Sequence, residues 1–257
     1  MLHLFKRNKT EIITTKKEIE DFSNVEIVAD YFKRETGVTF EKQISSLNNK
    51  MKLFCKHNEI ISYKELLSQL QKDKDLKQDL INLLTTNETY FYREFKQIEE
   101  LVGIIKSKRE KVTILCAPSA TGEEPYSIAI ALLEAGVAAE SFSIMGIDIN
   151  KEALHKAEEA VYGERNIKYL PKEAVDKYFS EETNKYILKE EIKKQVSFKL
   201  VNIFDKEFLQ LGKFDFVFSR NMLIYFDKET KQKAKVILES MRKDDKYNIF
   251  FGHADLF

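Results

Sequence analysis

The sequence predicts an α/β protein: a mostly parallel sheet interleaved with helices, preceded by an all-helical region. Three observations predict it. From Lys111 onward, short apolar runs alternate with segments of helical period, the grammar of right-handed βαβ units. Before about residue 90 the apolar residues recur at helical spacing only. Between the first apolar run and its helix lies a turn of small residues, Ala117, Ser119, Ala120 and Gly122, which lets a backbone approach a ligand closely.

Taken in order, NVEIVADYFKRETG sets Val25, Val28, Ala29 and Phe32 on one helical stripe, with Gly37 as a stop. SSLNNKMKLFCKH does the same with Leu47, Met51 and Phe54. SYKELLSQLQKD opens with Ser62 and has Glu65 three residues on, a capping-box pattern. KQDLINLLTT adds another stripe. KVTILCA then reads as a buried parallel strand, and EEPYSIAIALLEAG as a helix that tolerates Pro125 in its first turn. SFSIMGIDI is a strand and NKEALHKAEEAVYG a helix. VSFKLVNIF and FDFVFSRNM are two more strands, DKETKQKAKVILESM a helix and YNIFFGH a last strand. Residues 179–198 break the rhythm and read either as a small antiparallel excursion or as a poorly covered helix. The expected division is a helical domain over 1–95 and an α/β domain over 96–257, with a small inserted subdomain near 179–198.

The chain has 257 residues and a formal net charge of +0. That charge argues against a nucleic-acid binder that must neutralise many phosphates. No apolar run approaches the ~20 residues of a membrane span, and MLHLFKRNKT has its charges in the wrong order for a signal peptide. Two cysteines, far apart, suit a reducing cytoplasm and leave no four-ligand zinc pattern. Cys55-Lys-His57 is read as chance spacing, and no metal is expected.

The candidate site residues sit where open α/β sheets place their sites, at the carboxyl ends of strands. The small-residue turn runs into Glu123 and Glu124 where a phosphate site would want a lysine. Either they complement the helix dipole, or they face a ligand with a cationic centre. Asp148 ends the second strand at the spacing that suits a ribose, with Asn150 free to cap the next helix. Asn202 and Ile203, after the third strand, suit a purine edge and face, although an Asn there also starts turns. Arg220, Asn221 and Tyr225 follow FDFVF. TTNETYFYREF, just before the α/β region, carries Asn87, Thr89 and Arg93 without an obvious structural task.

LTTNETYFYRE, SATGEEPYSIAIAL, GIDINKEALHKAEEAVY, FDFVFSRNMLIYFD and GHADLF, in this order, resemble the chemotaxis receptor glutamate O-methyltransferases, the CheR-type enzymes, over roughly Val25 to Phe257. The resemblance implies a Rossmann-like S-adenosylmethionine-dependent methyltransferase sheet and the transfer of a methyl group to glutamate carboxylates of chemoreceptors. A cationic cofactor also explains the acidic turn. By position, it implies that Asn87, Thr89, Arg93, Glu124, Asp148, Asn202, Ile203, Arg220 and Asn221 bind the cofactor and that Arg93 and Tyr225 stand nearest the transferring methyl. The expected partner is the cytoplasmic helical region of membrane chemoreceptors, met by a cytoplasmic monomer that neither enters the membrane nor binds nucleic acid.

The family's basic receptor-facing helix corresponds to Lys42–His57, with Lys42, Lys50, Lys52 and Lys56 and no acid, but no arginine. No glycine occurs between Glu164 and Leu211, where tail-docking members carry a glycine-rich loop, so docking of a receptor tail is expected to be absent. The chain stops at GHADLF where relatives continue for about another strand, so the sheet is expected to lack a final antiparallel strand. Competing readings are the same chemistry on another acid, and a regulator that senses the cofactor without transfer.

Overall fold

The computed structural model describes residues 20–41, 43–108 and 110–255. Lys42 of the basic stretch and the MLHLFKRNKT segment lie outside them. Four helices come first: α1 (Glu26–Thr36), α2 (Ile44–His57), α3 (Tyr63–Leu70) and α4 (Lys74–Leu84). Their stripes close over one apolar cluster that includes Val28, Phe32, Leu47, Met51, Leu66 and Leu80. Each such side chain contributes about 1.5–3 kcal/mol when fully buried. Cys55 lies in this cluster, and burial pushes its thiol up to about 12. Gly37 stops α1 at φ 81°, with its N–H on the Lys33 carbonyl. A Cβ there would lie 2.6 Å from the Phe204 ring, so the site needs glycine twice over.

The capping box at α3 forms on one arm only. Ser62 Oγ accepts from Glu65 N at 3.2 Å. The Glu65 carboxylate takes the N–H of Ile61 rather than that of Ser62, and the same turn is satisfied one residue earlier.

The sheet follows helix α5 (Phe95–Ile105). Strands β1 (Val112–Cys116) and β2 (Phe142–Asp148) flank α6 (Glu123–Glu134), and α7 (Lys151–Glu159) follows β2. The remaining strands are β6 (Val196–Leu200), β7 (Phe216–Ser219) and β8 (Phe250–Phe251), with α11 (Lys206–Leu209) before β7 and α12 (Lys228–Ser240) after it. The order is β6-β2-β1-β7-β8, and every pairing is parallel. Strand order reverses between β1 and β7, which opens a crevice at their carboxyl ends. Side chains of β1 alternate between two apolar layers: Ile114 and Cys116 join α5 and α6, while Leu115, with Ala117 just after the strand, joins the α12 side. The last strand is shorter than YNIFFGH predicts, two residues in parallel with β7.

The segment near 179–198 takes the antiparallel alternative. Strands β3 (Val161–Gly163), β4 (Phe179–Glu182) and β5 (Lys185–Leu188) form a separate sheet in the order β3-β5-β4, with short helices α8 (Glu164–Ile167) and α9 (Lys172–Tyr178) between β3 and β4 and α10 (Glu190–Lys193) after β5. It therefore begins earlier than expected, because Ala160 at φ 55° ends α7 before AVYG. Thr183 and Asn184, both at positive φ, close the β4–β5 hairpin in the two-residue geometry that suits strand twist. Phe91 packs edge-on against Tyr162 and Phe179 at 4.8 and 5.4 Å, fixing this small sheet to the segment that leads into α5.

Hydrogen bonds stitch the helical cluster to the sheet. Gln78 donates to the Ile149 carbonyl at 2.9 Å, and Lys151 N donates to Asn82 Oδ1 at 3.0 Å. Thr39 N donates to the Tyr225 carbonyl at 2.9 Å.

Candidate active site

The turn after β1 is held from below by the end of β2. Ser119 N donates to the Ile147 carbonyl at 2.7 Å. Ala120, at φ 46°, donates its N–H to Asp148 Oδ2 at 2.9 Å. The other Asp148 oxygen takes Asn150 N at 2.9 Å, and Asn150 caps α7 through Ala153 N. Both carboxylate oxygens of Asp148 thus accept from backbone N–H groups, and each oxygen can accept more than one donor. Burial pushes its carboxyl up to about 6, against the pull of the N–H groups of Asn150, Ala120 and Ile149.

The two adjacent glutamates part company. Glu123 is fully buried and accepts from Thr121 Oγ1 at 2.6 Å and from Asn166 Nδ2 at 2.7 Å, which joins α6 to α8. Glu124 turns to the other side and ion-pairs with Arg220, which leaves β7. Burial works against the charge of Arg220, but Glu124 outweighs it and holds the guanidinium above its ordinary value. Arg220 also donates to the Arg93 carbonyl at 2.7 Å. Among the described residues, the second oxygen of Glu124 has no hydrogen-bond partner although it is buried, and neither has Ser119 Oγ.

Two cavities meet here. One, of about 480 Å³, is lined by Asn87, Thr89, Arg93, Ser119, Glu124, Arg220, Asn221 and Tyr225. The other, of about 500 Å³, is lined by Asn87, Asp148, Asn202, Ile203, Asn221 and Tyr225, and by Thr39 and Lys50 of the helical region. Both share Asn87, Pro118, Ala120, Asn221, Ile224 and Tyr225, so they form one trough across the carboxyl ends of β1, β2 and β7. Every residue assigned to the cofactor or to catalysis from the sequence lines it.

Individual side chains differ in what they can offer. Arg93 donates to the Glu88 carbonyl at 3.1 Å and lies 5.8 Å from the Tyr90 ring centre. Asn202 already holds protein partners at both ends of its amide, giving to Glu35 O at 2.7 Å and taking Phe204 N at 3.0 Å. That is the turn role left open by the sequence, and Ile203 supplies the apolar wall beside it. Asn221 sits at φ 59°, fastened by its N–H to the buried carboxylate of Asp255, which also takes Ile224 N at 3.1 Å. Lys52 and Lys56 are exposed on α2 beside Leu53, itself 70% exposed.

Sequence reasoning missed Asp255, Arg165, Lys168 and Tyr90. Asp255 lies inside GHADLF and could have been found as an acid in an apolar context. Arg165 and Lys168 carry no local signal, because the excursion's packing alone brings them to the first cavity.

An unpartnered buried carboxylate oxygen and hydroxyl, in place of a phosphate cradle, fit a ligand with a cationic head. Asp148 fits a ribose diol and Ile203 a flat ring. A parallel sheet with this trough defines an α/β methyltransferase dependent on S-adenosylmethionine. The description "CheR methyltransferase, SAM binding domain" matches residues 87–257, and the chain belongs to that family. It is 34% identical over 224 residues to a chemotaxis protein methyltransferase of Campylobacter jejuni, covering 86% of this chain and 84% of that one. It is 35% identical to chemotaxis protein methyltransferase 2 of Vibrio cholerae, covering 80% and 76%. A Borreliella burgdorferi chemotaxis protein methyltransferase is 31% identical, with 90% of each chain covered.

Proposed function

We propose that this enzyme methylates glutamate side chains in the cytoplasmic helical region of membrane chemoreceptors, forming methyl esters for sensory adaptation. The observation that carries the reading is the meeting of Arg93, Tyr225 and the unpartnered Glu124 oxygen in one cavity. Support comes from the chemotaxis methyltransferases that resemble the chain over most of its length.

S-adenosylmethionine, when bound, supplies an electrophilic methyl group on a cationic sulfur. Asp148 would hold its ribose, Ile203 its adenine face and Glu124 its ammonium. Asn87, Thr89 and Asn221 complete the wall. The substrate carboxylate has an ordinary pKa near 4.3 and is ionised at neutral pH, so no residue need remove a proton. Arg93 orients the carboxylate through charge-assisted hydrogen bonds. Tyr225 donates to the second substrate oxygen or fixes the cofactor's surroundings. The residues around the trough displace water from the carboxylate and keep it aligned, which is where most of the acceleration arises.

We further assign Lys50, Lys52 and Lys56 of α2 to the receptor face, with a cytoplasmic monomer as the acting species. The reading includes independence from a receptor tail. It is supported by the two-residue turn of the β4–β5 hairpin, where a tail-holding loop would need length and glycine.

The test uses radiolabelled S-adenosylmethionine and membranes carrying the organism's chemoreceptors. Base-labile label released as methanol reports a carboxyl methyl ester. Arg93→Ala is expected to lose most of this label while retaining wild-type thermal stability. Wild-type label that is base-stable, or normal turnover by Arg93→Ala, refutes the assignment.

A further inference from the structure

The first cavity continues outward past Arg93 to a rim that the methyl-transfer chemistry does not use. Arg165 and Lys168 stand on it, with Tyr90 and Glu88. Both cations come from α8 and the residue after it, in the antiparallel excursion, and line the first cavity, whereas Lys50 of α2 lines the second. Tyr169, 55% exposed, lies 5.0 Å from Tyr90, ring centre to ring centre. Lys168 Nζ sits 4.6 Å from the Tyr169 ring centre and 5.5 Å from that of Tyr90. Among the described residues, neither the half-buried Tyr90 ring nor the exposed Tyr169 ring belongs to any of the three apolar clusters, so core packing does not account for this pair.

Charge decides what the rim fits. Of the two acids that line this cavity among the described residues, Glu124 is committed to Arg220. Glu88 is 3.9 Å from Arg165, but the two side chains are 79% and 85% exposed, and such a pair is weak and readily exchanged. The rim is therefore cationic on balance, with Arg93 at its inner end. The second cavity is lined by Glu41, Asp148 and Asp227 as well as by Lys50 and Lys231, so the excess of cations is confined to the first.

We propose that Arg165 and Lys168, backed by the Tyr90–Tyr169 pair, form a second substrate-docking surface that takes acidic residues flanking the methyl-accepting glutamate. The inference rests on the reading of the substrate as a receptor helix, and it adds a specificity determinant on the excursion. A polypeptide segment with acids about one turn from the target would be clasped between α2 and α8.

The experiment measures receptor methylation by the full chain, wild type against Arg165→Glu/Lys168→Glu, with receptor concentration varied. Reversing two rim charges is expected to raise KM for receptor about fivefold to tenfold through opposed electrostatic contacts. The kcat at saturating receptor and the affinity for S-adenosylhomocysteine should stay within about twofold, and the salt dependence of KM should flatten. The neutral variant Arg165→Gln/Lys168→Gln, which is free of new repulsion, should raise KM about twofold to threefold. An unchanged KM in both variants, with wild type active on receptors, overturns the rim. A wild type that forms no base-labile ester on receptors instead overturns the function on which the rim depends.

Discussion

Lowering the pH through about 6 should weaken cofactor binding while favouring the unliganded fold, and both effects trace to Asp148. Burial raises this carboxyl from 3.8 to about 6, which at about 1.36 kcal/mol per unit is a difference of about 3 kcal/mol between its two forms. Because the folded value is raised, the stabilising contribution is complete below about 3.8 and is lost as the pH climbs to about 6. Binding runs the other way, since ribose hydroxyls donate to the ionised carboxylate. With a pKa near 6, about one-tenth of the sites are ionised at about pH 5, so affinity should fall about tenfold from its plateau above about pH 7. Calorimetric titration of S-adenosylhomocysteine into wild type and Asp148→Asn from about pH 5 to about pH 8 reads this directly. The variant should bind weakly and without the acid-side fall. Parallel profiles for the two proteins would refute the role of Asp148 and the origin of its shift.

Two further outcomes follow from buried groups. Glu124→Gln leaves Arg220 without its charge partner in a site where the pair's side chains are 9% and 3% exposed, so urea unfolding should show a loss of about 3–5 kcal/mol. Adding Arg220→Met should recover part of it, and a strictly additive double variant would contradict the pairing. Asp255→Ala orphans the N–H groups of Asn221 and Ile224 at about 1–3 kcal/mol each. It should reduce kcat more than tenfold, because Asn221 and Tyr225 share the loosened turn, and steady-state kinetics on receptor membranes check this.

The legible parts of this molecule are those set by local chemistry. The helical stripes around Phe32 and Met51, the buried parallel strand at KVTILCA and the capping by Asn150 each depend on neighbours a few residues away, and all form as read. The fate of Glu123 and Glu124 does not. One step along a helix rotates a side chain by about 100°, so one glutamate meets Asn166 from the excursion and its neighbour meets Arg220 from β7. Both partners lie more than forty positions away. Asn202 was open for the same reason, since the carbonyl it serves belongs to Glu35. The AVYG stretch was misassigned to a helix because a three-residue strand shows no period of its own until β5 pairs with it. The aromatic and cationic rim had no local signature either.

The trough's walls belong to two separately packed bodies. Thr39 and Lys50 come from the helical side, and Asp148, Ile203 and Asn221 from the sheet side. A molecule lying there touches both, so its binding adds contacts across the seam. Binding there is therefore expected to strengthen the docking of the helices on the sheet, because a ligand that holds both favours the state in which they are joined. Lys50 of α2 lines the trough and is also assigned to the receptor, so one helix faces both ligands.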